Sequence, residues 1–258
     1  MKTAILLVSF GTCDPEVEAK SLFCIEREMA ERYDTVWVAQ AYTSDMIIRR
    51  LATQQIIKYT VEEALIQARN HQIECIYVVP THMIPGSEYH KICNLVEQYK
   101  TAFPVIRLAS PVLAEEADCH KLVPLMAEML HFSPQYEYIL MGHGTKEDAN
   151  IRYAQMNQAF WDAGLHYVRI ASVEAEPKIE DAMLALRGQK HGKKIVLHPF
   201  MVVAGEHAKK DMAGEKDSFV TRLSDAGYRV EVIMKGLSEY PQFRQQYLDK
   251  LKALMQSG

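Results

Sequence analysis

The chain is poor in the features that would make several common readings easy. Its five cysteines, Cys13, Cys24, Cys75, Cys93 and Cys119, are odd in number and form no C-x-x-C pair. That argues against a disulfide frame or a cysteine zinc site and for reduced thiols in the cytoplasm. There is no G-x-S-x-G elbow, no G-x-x-x-x-G-K-[ST] loop and no G-x-G-x-x-G run. Serine hydrolases of the α/β kind, P-loop enzymes and typical dinucleotide binders are therefore excluded. No excess of positive charge is present: the net charge is −4, which leaves no electrostatic footprint for nucleic acid. No apolar run reaches the ~18 residues a membrane span needs. The opening MKTAILLVSF has a lysine and then an uncharged stretch, as an export signal would, but a first β-strand explains the same letters better. Gly/Ser-rich and Pro-rich linkers are missing too, so the parts of the chain are expected to act as one unit.

What is present is an ordinary globular composition over 258 residues, with 48% hydrophobic and 24% charged residues, enough for one large or two modest domains. Strands are predicted at 3–9, 35–41, 74–80 and 105–109, alternating with helices at 15–33, 44–54, 60–71 and 87–101. Pro15 suits a helix start, and Thr60-x-x-Glu63 is a capping-box pattern. A helix over 112–132 follows, and then the pattern begins again. Strands are predicted at 137–141, 167–172, 194–198 and 229–233. The helices between and after them fall at 146–163, 177–187, 206–226 with a break at Gly214, and 241–255. Such alternation implies an α/β fold of parallel strands with helices on both faces. The expected division is 1–112, a connecting helix at 113–135, and 136–258.

A weak internal repeat supports two similar halves. LLVSFGT (6–12) parallels YILMGHGT (138–145), and VVPTHMIPGSEYHK (78–91) parallels VLHPFMVVAGEHAKK (196–210). Two copies related in this way would face each other across a cleft, a natural pocket.

Three ionisable side chains in the second half follow predicted strands. His143 ends the first strand in GHGT, Glu174 follows the second and His207 the third, one βα unit apart. Strand ends of successive units lie side by side, so two imidazoles and a carboxylate can converge as an open site for a divalent first-row metal. Taken singly, each has a plainer explanation as a loop hydrogen bond or a helix cap. Glu176, two residues on, competes with Glu174. Metal-activated hydrolysis would use the same donors.

The motifs GHGT, V-E-x-x-P at 173–177 and HPFMVVAGEHAKKDMAG at 198–214 resemble the anaerobic, class II sirohydrochlorin cobalt chelatases of cobalamin synthesis. The LLVSFGT opening and IPGSEYHKI (84–92) resemble the same family, so the likeness covers nearly the whole chain. It implies two Rossmann-like, flavodoxin-like domains with a tetrapyrrole cleft between them. His143, Glu174 and His207 would be the metal-holding and catalytic residues, which selects Glu174 over Glu176. Phe10, Gly11, Thr12 and Glu88 would meet the substrate, with Lys209 and Lys210 as candidate donors to its carboxylates. Co(II) would be a substrate, and no organic cofactor, nucleic acid or membrane partner is implied. Iron or nickel insertion, or a carrier that binds without inserting, are the competing functions, and a homo-oligomer stays open. One departure is visible: where relatives often carry a further histidine after GHG[TAS], this chain has Glu147 and Asp148.

Overall fold

The structure, a computed structural model, describes residues 1–33, 37–187 and 194–256. In the first half, strands β1 (Thr3–Ser9), β2 (Trp37–Tyr42), β3 (Cys75–Pro80) and β4 (Val105–Leu108) alternate with helices α1 (Pro15–Lys20), α2 (Leu22–Arg32), α3 (Asp45–Thr53), α4 (Val61–Asn70) and α5 (Ser87–Gln98). Helix α6 (Glu116–Leu130) opens the second half. It continues with β5 (Tyr136–Gly142), α7 (Ile151–Asp162), β6 (Val168–Ser172), α8 (Ile179–Leu186), β7 (Lys194–Pro199), α9 (Phe219–Asp225) and β8 (Val230–Val232). Helix α10 (Pro241–Gln256) closes the described chain. Residues 35 and 36 of the expected second strand lie outside the described residues.

The two halves have the same topology. One sheet runs β2-β1-β3-β4 and the other β6-β5-β7-β8, every pairing parallel. Each is a Rossmann-like unit in the flavodoxin-like order. The chain leaves β1 for β2 on one side and returns to β3 on the other, so the sheet's direction switches between β1 and β3. The same holds between β5 and β7. Open α/β sheets place ligands beyond the carboxyl ends of the strands at such a switch.

Near-continuous apolar runs explain why β1, β3, β5 and β7 occupy the middle. Ile5, Leu7 and Val8 are buried, as are Ile139, Leu140, Met141, Ile195 and Leu197, because helices cover both faces of each sheet. The capping box at α4 forms as the sequence predicts, with Thr60 and Glu63 each accepting the other's backbone N–H.

Three boundaries differ from expectation. The helix expected at 15–33 is two helices, because Ser21 departs from helical angles and turns its hydroxyl onto the Val17 carbonyl. The helix expected at 206–226 is a π-helical segment, Ala208–Met212, followed by a loop and then α9. Gly214 allows that loop to turn: a Cβ there would lie 2.3 Å from the Lys210 carbonyl oxygen. The third difference concerns the ends of the domains. The compact units are Met1–Val112 together with the chain from Phe243 onward, and Leu113–Gln242.

Helix α10 thus packs on the first unit, where 136–258 had been expected to form one domain. Its Phe243, Tyr247 and Leu251 are buried. Arg244 pairs with Glu28 at 2.6 Å, and the Tyr247 hydroxyl donates to the Thr81 carbonyl at 3.2 Å. Helix α6, expected as a connector, belongs to the second unit. Arg152 at the start of α7 donates to the Ala114 carbonyl at 2.8 Å, and Gln155 donates to Glu116 at 3.0 Å.

Candidate metal centre

The loop that follows β5 carries His143, and its backbone is fixed from three directions. Gly142 packs so closely on the buried Tyr153 ring that a Cβ would come within 2.9 Å of it. Backbone N–H groups of His143 and Gly144 donate to the Tyr153 phenol, partly offsetting the burial that pushes its pKa up to about 12. Gly144 has φ +93°, a conformation that glycine adopts without penalty. Asn150 clamps the far side of the loop, accepting from Thr145 N at 2.9 Å and donating to the carbonyls of Thr145 and Glu147.

His207 arrives from the other side of the switch point, in the helical turn that leads into the π-helical segment after β7. Such wide turns recur at functional sites. The two imidazoles meet: Nε2 of His143 lies 3.0 Å from Nε2 of His207, with the ring planes at 88°. Each remaining ring nitrogen has an acceptor. His143 Nδ1 is 2.9 Å from the Gly144 carbonyl oxygen, and His207 Nδ1 is 2.7 Å from Asp211 Oδ2. A carbonyl oxygen can only accept, so His143 carries its proton on Nδ1. The carboxylate assigns the same tautomer to His207. Both Nε2 atoms then present lone pairs to one point, the outer-shell arrangement usual for metal-binding histidines.

The spacing is informative. At a metal–nitrogen distance of about 2.05 Å, two nitrogens 3.0 Å apart subtend an angle near 90° at the ion, as two adjacent ligands do. Without an ion, the same spacing suits one shared proton between the nitrogens.

Glu174 stands at the rim of this loop. Its N–H donates to the His143 carbonyl at 3.0 Å, and its Cβ would be 3.3 Å from a Cβ on Gly144. The residue is exposed, and among the described residues no three His, Cys, Asp or Glu side chains are already grouped for a metal. The structure therefore brings His143 and His207 together and puts Glu174 beside them without its carboxylate in the group. Glu176 is also exposed and lies 3.8 Å from Lys178.

The remaining expected residues fall elsewhere. Phe10, 40% exposed, follows β1 in the first unit. Gly11 has φ +98° and sits against the Tyr42 ring, where a Cβ would come within 2.5 Å. Thr12 is buried and accepts from Asp14 N at 3.2 Å. Glu88, in the first turn of α5, pairs with Lys91 through Oε1 at 2.5 Å. Lys210 lies 3.5 Å from Glu206 and is largely exposed. Reading the sequence missed Asp211, Asn150 and Tyr153. Asp211 had a visible signal, since HAKKD places it four residues after His207, on the same helical face.

Two Rossmann-like units, one of them with an imidazole pair at its switch point, make this an α/β protein with a candidate metal centre. The chain matches the cobalt chelatase (CbiK) family over residues 3–256 and belongs to it. It is 30% identical over 254 residues to the sirohydrochlorin cobaltochelatase of Salmonella typhimurium, covering 97% of this chain and 96% of that one. It is 29% identical over 257 residues to sirohydrochlorin cobaltochelatase CbiKC of Nitratidesulfovibrio vulgaris, covering 98% and 90%. Among solved structures, SirB from Bacillus subtilis with Fe3+ superposes with a TM-score of 0.66 at 13% identity, covering 98% of this chain and 96% of that one, a likeness of fold.

Proposed function

We propose that this chain is a sirohydrochlorin cobaltochelatase, inserting Co(II) into the tetrapyrrole sirohydrochlorin in anaerobic cobalamin biosynthesis. Family membership and the curated relatives support the activity. The observation that carries the site is the 3.0 Å approach of the His143 and His207 Nε2 atoms, each with its Nδ1 proton already engaged.

The chemistry asks for an ion held firmly enough to position and loosely enough to surrender. His143 and His207 supply two neutral donors. Glu174, exposed and rooted beside the loop, supplies the third by turning its carboxylate inward, and its charge offsets part of the ion's. Three protein ligands leave coordination positions for the macrocycle's nitrogens. Metal insertion replaces two N–H protons, which must leave as the metal–nitrogen bonds form. As the ion passes to the macrocycle, His143 Nε2 and His207 Nε2 are released from the metal, and each accepts one of those two protons. Phe10, Gly11, Thr12 and Glu88 are assigned to the substrate by resemblance. All five cysteines are free thiols, which fits a reducing, cytoplasmic setting.

The test is turnover of sirohydrochlorin with Co(II), followed by absorption. Insertion faster than the protein-free control, and lost in His143→Ala, is the expected result. A spectral change that stops at one equivalent of protein would make the chain a carrier, and equal rates with iron or nickel would remove the assignment to cobalt.

A further inference from the structure

Lys235 follows β8 closely in the chain, so it stands at the carboxyl end of the second sheet, the end that also bears the loop leading to His207. The chain just beyond Lys235 is stitched to that loop. Leu237 N donates to the Met201 carbonyl at 2.9 Å, and Ser238 N donates to the Val202 carbonyl at 3.1 Å. The Ser238 hydroxyl donates to the same Val202 carbonyl at 2.7 Å. Gly236 makes the close approach possible: a Cβ there would lie 2.5 Å from the Val202 oxygen. Lys235 is thereby fixed beside the stretch between Pro199 and His207.

The ammonium group rests over the face of the Tyr240 ring, with Nζ 3.6 Å from the centroid. That ring is itself held by its hydroxyl, which lies 3.1 Å from Nε2 of the buried His198. The Lys235 side chain is half-buried, and among the described residues no carboxylate pairs with it. Other lysines of the second unit differ: Lys194 pairs with Glu231, Lys178 with Glu176 and Lys210 with Glu206. An aromatic face attracts a cation but does not neutralise it. A cation partly out of water, held in one place and lacking a counter-ion, gains more from an arriving anion than an exposed lysine does. The carboxyl edge of an open α/β sheet is where ligands arrive.

We propose, on the reading that sirohydrochlorin is the substrate, that Lys235 binds one of its peripheral carboxylates, Nζ donating to a carboxylate oxygen. The contact is remote from the reacting nitrogens of the macrocycle. It is therefore made equally in the ground state and the transition state, and it lowers KM without changing kcat.

The experiment is steady-state cobalt insertion by the parent chain, Lys235→Met and Lys235→Arg. Lys194→Met serves as control, since it removes a lysine from the amino end of β7, at the other end of the same sheet. Lys235→Met is expected to raise KM for sirohydrochlorin about tenfold with kcat unchanged. Lys235→Arg should restore most of the affinity, and Lys194→Met should match the parent. The gap between the parent and Lys235→Met should narrow as ionic strength rises, because salt screens charge and leaves packing alone. Circular dichroism checks folding, and Lys235→Gln replaces Lys235→Met should the latter fail to fold. An unchanged KM, or an equal rise in Lys194→Met, would overturn the proposal. So would a loss that falls on kcat and ignores salt, which would mean that Lys235 only braces the loop of His207. A parent chain that neither binds sirohydrochlorin nor inserts cobalt would overturn the functional reading itself and this assignment with it, so the two failures are distinct.

Discussion

His207 and Asp211 form a pair one helical turn apart, with Nδ1 2.7 Å from Oδ2, at the point where the helix widens into its π-helical segment. The carboxylate fixes the imidazole's tautomer and aims its other nitrogen at His143. Asp211 acts through His207 and is a positioning residue. Asp211→Asn retains the size of the side chain and removes the charge. It is expected to weaken Co(II) binding by about 10–100-fold, the usual effect of losing an outer-shell partner. Calorimetric titration of the metal, with thermal melting as control, measures this. Unchanged affinity would show that the pair merely decorates the surface.

Gly144 is the residue on which the loop's shape depends. An alanine there has to hold φ +93° with its Cβ 3.1 Å from Ala175 N. Strain of this kind costs about 1–3 kcal/mol. Gly144→Ala should lower the urea midpoint and reduce cobalt insertion together, since the loop carries His143. A variant as stable and as active as the parent would contradict the account of the loop.

Acid should destabilise the chain through buried histidines. His198 accepts or donates only within the protein, with Nδ1 2.8 Å from the Pro199 carbonyl and Nε2 3.1 Å from the Tyr240 hydroxyl. Burial lowers its pKa to about 4, with Lys235 acting in the same direction. The unfolded chain, with an ordinary histidine pKa near ~6.5, takes up the proton first as pH falls. Stability from this group is therefore complete above about pH 6.5 and lost on the way down to pH 4, by about 3 kcal/mol. Urea unfolding at pH 7 and pH 5 checks the sign. His198→Gln should flatten the dependence, and an equal slope in both proteins would refute the assignment.

Helix α10 should matter to the first unit although it is last in the chain. Leu251 is fully buried on it. Leu251→Ala is expected to cost about 2–5 kcal/mol, as a truncation in a packed core does. Hydrogen exchange would locate the loss in β1–β4 and their helices. Loss confined to β5–β8 would show that the helix supports the other unit.

The middle strands of both sheets were readable because their apolar runs end in glycine or proline at the turn toward a ligand. The capping box at Thr60 and Glu63 and the two histidines were readable for similarly local reasons. The placement of α10 was not, because its apolar face at Phe243, Tyr247 and Leu251 would suit either sheet. What decides is long-range pairing, such as Arg244 with Glu28, which no local pattern announces. Ser21 looked helix-compatible, and its hydroxyl's preference for the Val17 carbonyl shows only in the fold. The convergence of His143 and His207 was expected from strand ends. The fold adds that β5 lies between β6 and β7, so His143 is central and Glu174 and His207 flank it.

The most direct measurement is the position of cobalt in a Co(II)-soaked crystal, marked by its anomalous signal. The account predicts an ion within about 2.2 Å of both His143 Nε2 and His207 Nε2, with Glu174 turned toward it. An ion bound elsewhere in the second unit, with both Nε2 atoms left unligated, would contradict it.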